Sequence, residues 1–343
     1  MLNSNTAFKQ TDQKELQAPV SLALPVGVSV VIPVYNGAAT LNELTERLQK
    51  TLSRLGKPFE IIFVNDASQD QSWKVIGKLS SDASSVRGIN LVTNCGQQNA
   101  LLCGIRQAQF DTIVTLDDDL QHPPEEIPKL LLLLNTDSDV VYGVPLNEAQ
   151  SVSRTIPSRI IKRVLRTVTG IEATKHASAF RAFRTSLRVA SKDYQSPFVS
   201  VDVLLSWGTR RFATVAVEHH PRKFGSSGYS VRKLFSHAIT MLTGFSVLPL
   251  HLVSIIGFLL TIFGCVLFCY VLGRYLWLGG SVPGFPFLAA ALTIFSGAQV
   301  FALGIIGEYL ARMHFRLMGR PMYVVGEQVG RVTRASDGND PAA

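Results

Sequence analysis

The 343-residue chain lacks the glycine patterns that most directly announce a bound dinucleotide or triphosphate. No GxGxxG follows its first apolar run and no GxxxxGK[ST] occurs anywhere, which argues against a dinucleotide oxidoreductase and a P-loop NTPase. Its four cysteines have neither metal nor disulfide spacing. Cys95 and Cys103 stand apart, Cys265 and Cys269 lie in an apolar stretch, and all read as packing residues. The first 26 residues are polar, of mixed charge and without a long apolar core, so no cleavable signal is expected.

Charge is scarce as well: 17% of residues are charged and 47% hydrophobic, apolar for a purely soluble protein. No Asp, Glu, Lys or Arg occurs between Lys233 and Arg274, nor between Arg274 and Glu308. A membrane-spanning helix needs roughly 20 apolar residues. The windows around 252–272 and 285–307 meet that need, and their length favours two spans over a helical hairpin buried in a soluble core. Only Arg274 lies in the connection, whereas Arg222, Lys223, Arg232 and Lys233 precede the first window and Arg312, Arg316 and Arg320 follow the second. The positive-inside rule then puts both ends on the cytoplasmic face of the inner (plasma) membrane.

The net charge of +8 gathers near these windows and on Arg154 to Arg166, which points to anionic lipid or membrane-borne phosphate and not to nucleic acid. The segment 153–170 reads either as an interfacial or subunit-contact helix or as a plain surface helix. The expected organisation is a flexible tail over 1–26, a cytoplasmic domain over 27–229, an amphipathic juxtamembrane helix over 230–245, two spans over 246–311 and a cytoplasmic tail over 312–343.

Within 27–229, β-branched runs alternate with helical patterns. VSVVIPV at 28–34 and FEIIFV at 59–64 predict buried strands, with further strands near 89–92, 113–116, 139–144 and 212–217. Leu41, Leu44, Leu48 and Leu52 fall on one helix face, and helices are expected over about 70–81 and from 94–98 to 109. This alternation predicts an α/β fold with a mostly parallel, Rossmann-like sheet. In HASAFRAFR, Phe180 and Phe183 are expected to be buried while Arg181 and Arg184 point elsewhere.

The strand ends collect polar groups: Tyr35 and Asn36 after the first, Asp66 after the second, and Asp117, Asp118 and Asp119 after the fourth. Ligands bind open α/β sheets at that edge. The residues alone support two readings of the acidic run, a solvated turn ahead of the helix near Pro124, or a site for Mg²⁺ or Mn²⁺ bridging to a diphosphate. In the loop EHHPRKFGSSGYS, Arg222 and Lys223 beside Gly225 and Gly228 suit a phosphate, and a basic linker touching lipid is the other reading.

The motifs VVIPVYN, FVNDAS, DDDLQHPPEEIP, FRAFR, the R-x-x-G-x-S-x-Y-S of Arg222 to Ser230 and GEYLAR together resemble the inverting family 2 glycosyltransferases of GT-A fold. Within them the likeness is to the polyprenyl-phosphate glycosyltransferases, and it runs from Val28 to Val325. The resemblance implies transfer of a sugar from a nucleotide sugar, with UDP favoured, to a lipid such as undecaprenyl phosphate. It implies that Pro33, Tyr35, Asn36 and Asp66 hold the base end of the donor, and Asp117 and Asp118 its ribose and phosphates. Asp117, Asp119 and Gln121 would hold the metal, with Asp119 and Asp117 central to catalysis. Arg181, Arg222, Ser227 and Tyr229 would contact the acceptor or donor phosphates, and the family suggests a homo-tetramer.

Three positions depart from the family pattern: Ala179 replaces an acidic residue that precedes FR in many relatives, Thr93 an Arg, and Gly228 a Lys. No catalytic base is therefore assigned. Two alternatives are a glycosyltransferase with another lipid or glycan acceptor and a non-catalytic membrane scaffold that binds sugar nucleotides.

Overall fold

The computed structural model describes residues 26–134, 137–145, 177–196, 199–221, 248–278, 284–319 and 321–330. The run VSVVIPV forms β1 (Val28–Val34), buried at every position, as expected of a central strand covered on both faces. There follow α1 (Leu41–Ser53), β2 (Phe59–Asn65), α2 (Ser72–Asp82), β3 (Val86–Leu91), α3 (Gln97–Gln107) and β4 (Thr112–Thr115). Next come α4 (Ile127–Leu133), β5 (Val140–Pro145), β6 (Arg181–Arg184), α5 (Val201–Gly208) and β7 (Phe212–Val217). Two long helices, α6 (Leu248–Leu278) and α7 (Phe285–Leu317), precede a final strand, β8 (Val325–Val329).

The strands make one sheet in the order β7-β5-β6-β4-β1-β2-β3-β8. β1 pairs in parallel with both β2 and β4, and β2 with β3. β6 and β8 run antiparallel to their neighbours. The chain moves outward from β1 through β2 and β3 and then returns to β1's other side as β4, so a crevice opens where β1 and β4 end, the place open α/β sheets use for ligands.

Two apolar layers sandwich the sheet. On one face Leu41, Leu44, Leu48 and Leu52 of α1 pack with Ile32, Phe63 and Val114; on the other, Leu101, Leu102 and Ile105 of α3 pack with Val31, Ile62 and Phe183. Gly104 lets α3 approach the sheet, because a Cβ there would run into Val31 and Val64.

Two sequence expectations change here. Arg181 does not point away from the core: it is 2% exposed. Strand alternation puts it on the same face as Phe183, where Asp202 of α5 pairs with its guanidinium. Part of the expected tail over 312–343 is a sheet element, since β8 pairs with β3 and shields what would otherwise be an open edge.

One described helix is long and apolar enough to cross a membrane, α7 through Ile294–His314; the apolar run of α6, Leu250–Val266, is shorter. Apolar side chains on both helices face outward, among them Phe258, Leu259, Val300 and Leu303. The expected basic helix at 153–170 and amphipathic helix at 230–245 lie outside the described residues.

Candidate functional site

Three strand ends and one loop build the site. β1 breaks at Tyr35, and Asn36 turns the chain with a positive φ of 55°. That turn is held from outside: the Asn36 N–H donates to the Ser68 hydroxyl, its side-chain oxygen accepts the Gln69 N–H, and the Gly37 N–H donates to the Ser72 hydroxyl. Asn36 therefore shapes the turn through bonds to the protein. Tyr35 is left 51% exposed at the mouth of the crevice.

After β2, the Asp66 N–H donates to the Val34 carbonyl and locks the two strand ends together. Its carboxylate accepts the N–H groups of Cys95 at 2.7 Å and Gly96 at 2.9 Å. Burial raises its pKa above the usual carboxylate value, and these two bonds pull the other way. Asn94 adds a side-chain bond to the Asp66 carbonyl. The loop after β3 is thus fastened onto Asp66, and Gly96, with φ of 86°, supplies a conformation that side chains disfavour.

The acidic run follows β4. Gln97, at the start of α3, donates its side-chain amide to Asp117 at 2.6 Å. Asp119 accepts the Gln121 N–H at 3.1 Å, and Leu120 turns the loop at φ of 61°. Asp118 is largely buried against Gly37, where an added Cβ would overlap its carboxylate. Burial, with Asp117 and Asp119 alongside, pushes its pKa up to about 7.

Next to the run, the His122 ring lies tilted against Phe180 and meets His219 edge-on, with centroids 5.4 and 5.0 Å away. Burial and the neighbouring His219 push His122 down to about 4, and burial also lowers His219. Both rings are then neutral at pH 7. The His220 N–H donates to the Gln121 carbonyl at 2.9 Å, tying the loop after β7 to the acidic loop.

Together these pieces line a cavity of about 470 Å³ bounded by Pro33, Val34, Tyr35, Asp66, Asn94, Gly96, Gln97, Asp117, Asp118 and Asp119. The predicted Pro33, Tyr35, Asp66, Asp117, Asp118 and Asp119 do converge here. Arg181 does not join them, since its guanidinium is committed to Asp202 and its Nε donates to the Thr115 hydroxyl. Arg222, Ser227 and Tyr229 lie outside the described residues. Gln97, Asn94 and Gly96 were missed as site residues. The signal that could have found them is the polar NCGQQN that ends the third strand, as polar groups end the first, second and fourth.

The donor set fits a hard divalent cation. Asp118 Oδ2 is buried with no hydrogen-bond partner among the described residues, and three adjacent carboxylates repel one another until a positive charge enters. Among the described residues no three His, Cys, Asp or Glu side chains enclose an ion by themselves. Mg²⁺ is ordinarily held by one or two carboxylates, with substrate phosphates and water completing its shell.

Residues 29–193 match the model of the family "Glycosyl transferase family 2". The undecaprenyl-phosphate 4-deoxy-4-formamido-L-arabinose transferase of Pectobacterium carotovorum is 35% identical over 89% of this chain and 94% of its own. Its namesake from Pseudomonas aeruginosa is 34% identical over 92% of this chain and 93% of its own. Among solved structures, glucosyl-3-phosphoglycerate synthase from Mycobacterium tuberculosis in complex with Mn²⁺, UDP and glucosyl-3-phosphoglycerate is 18% identical, with a TM-score of 0.47 over 64% of this chain and 80% of that one.

Proposed function

The chain belongs to glycosyl transferase family 2, and from that membership we propose that it transfers a sugar from a nucleotide sugar, with a UDP-sugar favoured, to undecaprenyl phosphate. The sugar is of the 4-deoxy-4-formamido-L-arabinose class, because relatives whose names carry it match the chain over 89% and 92% of its length. The observation that carries the reading is the cavity in which Tyr35, Asp66 and the acidic run meet.

Pro33, Tyr35 and Asp66 take the base end of the donor, and Asp117 and Asp118 face its ribose and diphosphate. Asp117, Asp119 and Gln121 would hold Mg²⁺ or Mn²⁺, which would supply a Lewis acid to offset the charge developing on the departing nucleoside diphosphate. Gln97 holds Asp117 in place, and the loop fastened to Asp66 closes the base end.

The acceptor brings its own nucleophile. A phosphate monoester with a second pKa of ~6 is largely a dianion at neutral pH, so its oxygen attacks the anomeric carbon without a strong base. The new carbon–oxygen bond forms as the bond to the nucleoside diphosphate breaks on the opposite side, inverting the anomeric configuration. Ala179 fits this mechanism, since its methyl side chain offers no base and its carbonyl accepts the Thr115 hydroxyl. Arg222, Ser227 and Tyr229 are assigned to the acceptor phosphate on their motif. The charge pattern supports α6 as a second span, with both chain ends cytoplasmic, and the family resemblance supports a tetramer.

The test is transfer of label from a panel of UDP- and GDP-sugars to undecaprenyl phosphate in detergent with Mn²⁺ or Mg²⁺. Product from UDP-4-deoxy-4-formamido-L-arabinose, abolished by chelation, is expected. Failure of every donor with folded protein would overturn the reading.

A further inference from the structure

We propose that the C-terminal segment 321–330, which follows α7, is a positioning element of the nucleotide pocket and sets its affinity for the nucleoside diphosphate. The loop that fastens Asp66 and delivers Gln97 to Asp117 hangs between two elements, β3 and α3. The segment 321–330 holds both.

Against β3, Leu91 lies opposite Val325, and the Val92 N–H donates to the Val324 carbonyl at 2.9 Å, two residues before Asn94. A register shift between Asn90 and Leu91 and close packing of Gly326 on Val92 fit the segment to the end of β3. Further along, the Trp73 indole N–H donates to Glu327 at 2.9 Å. Against α3, Met322 is buried and Tyr323 packs in the same apolar layer as Leu101 and Ile105. The Arg106 guanidinium reaches the Tyr323 hydroxyl at 3.4 Å.

Take the segment away and β3 becomes an edge strand whose last backbone bond before the loop is gone, while α3 loses the part of its apolar cover that Met322 and Tyr323 supply. Cys95 and Gly96 donate to Asp66 from the stretch just beyond that bond. Their geometry therefore depends on a piece of chain more than two hundred residues later in sequence, and the same piece connects the pocket to the apolar helix α7.

This inference rests on the nucleotide-sugar reading for its consequence, though not for its geometry, and the experiment separates the two. A chain ending at residue 320 keeps both long helices and is purified in detergent beside the full chain. Hydrogen exchange is read at the Cys95 and Gly96 amides, and UDP affinity is measured with Mn²⁺. The truncated chain should lose protection at both amides and bind UDP about tenfold more weakly or worse, as expected when charged hydrogen bonds lose their support.

A synthetic peptide of residues 321–330 added in trans should restore both. If truncation destabilises the whole domain, Met322→Ala with Tyr323→Ala in the full chain carries the test, with the same two losses and an otherwise native exchange pattern in β1 and β2. Unchanged protection of Cys95 and Gly96 overturns the proposal, as does UDP affinity within twofold of the full chain. Lost protection in a protein whose full chain binds no UDP supports the positioning role and removes the nucleotide reading instead.

Discussion

The side-chain amide of Gln97 donates to the carboxylate of Asp117 at 2.6 Å, joining the first residue of α3 to the acidic loop after β4. A hydrogen bond to a charged group is worth about 1.5–3 kcal/mol. Gln97→Ala should therefore lower kcat/KM for the nucleotide sugar by roughly ten- to a hundredfold while leaving thermal stability close to wild type. Gln97→Glu should do worse, since it sets a second carboxylate against Asp117. Steady-state kinetics with both variants checks this.

Asp118 gives the domain a pH dependence of predictable sign. Its carboxyl holds a proton to about 7 in the native cavity, against 3.8 as the ordinary value. The folded state then binds more protons than the unfolded state between these values, so stability falls as pH rises through that window and the full penalty applies above it. Asp118→Asn removes the penalty, which has an upper bound of about 4 kcal/mol. In metal-free buffer the variant should melt above wild type at pH 8 and alongside it below pH 4, as scanning calorimetry across the range would show.

The Arg181–Asp202 pair is a structural dependency near the site. Arg181 is 2% exposed, Asp202 also accepts the Tyr142 hydroxyl at 2.8 Å, and Arg181 Nε holds Thr115, two residues ahead of Asp117. Removing one member of a buried ion pair leaves the other charge unmatched and costs about 3–5 kcal/mol. Asp202→Ala should show that loss in denaturant unfolding. Replacing both residues by Leu and Met should recover most of it, because two apolar side chains leave no stranded charge.

Much of this site was legible in the sequence because one short-range rule governs it. Apolar β-branched runs predict buried strands, and the polar residues that end them, Tyr35, Asp66 and Asp117 to Asp119, share the carboxyl edge of any parallel sheet. For Arg181 the local pattern misleads, because FRAFR on its own predicts two buried aromatics with outward arginines. Apolar layers cover both faces of β6, with Ala182 in one and Phe183 in the other, and strand alternation puts Arg181 on the face of Phe183. Its partner, Asp202, stands 21 residues away on a helix no local pattern links to it.

The strand β8 was hidden for a related reason. Its five residues carry too little apolar alternation to mark a strand, and what fixes them is the edge of β3, far earlier in the chain. The support that Asn94, Gly96 and Gln97 give to the acids likewise depends on tertiary closure. The sequence contains the residues but not the distances.

The central claim is that the acidic loop carries sugar transfer, and Asp119→Ala tests it most directly. Initial rates of labelled sugar transfer to undecaprenyl phosphate are compared for wild type and variant at saturating Mn²⁺, with hydrogen exchange confirming that both are folded. The account predicts a rate at least about a hundredfold lower in the variant, the scale expected when a group stabilising transition-state charge is lost. A variant that transfers sugar at the wild-type rate, with the same dependence on metal, would contradict it.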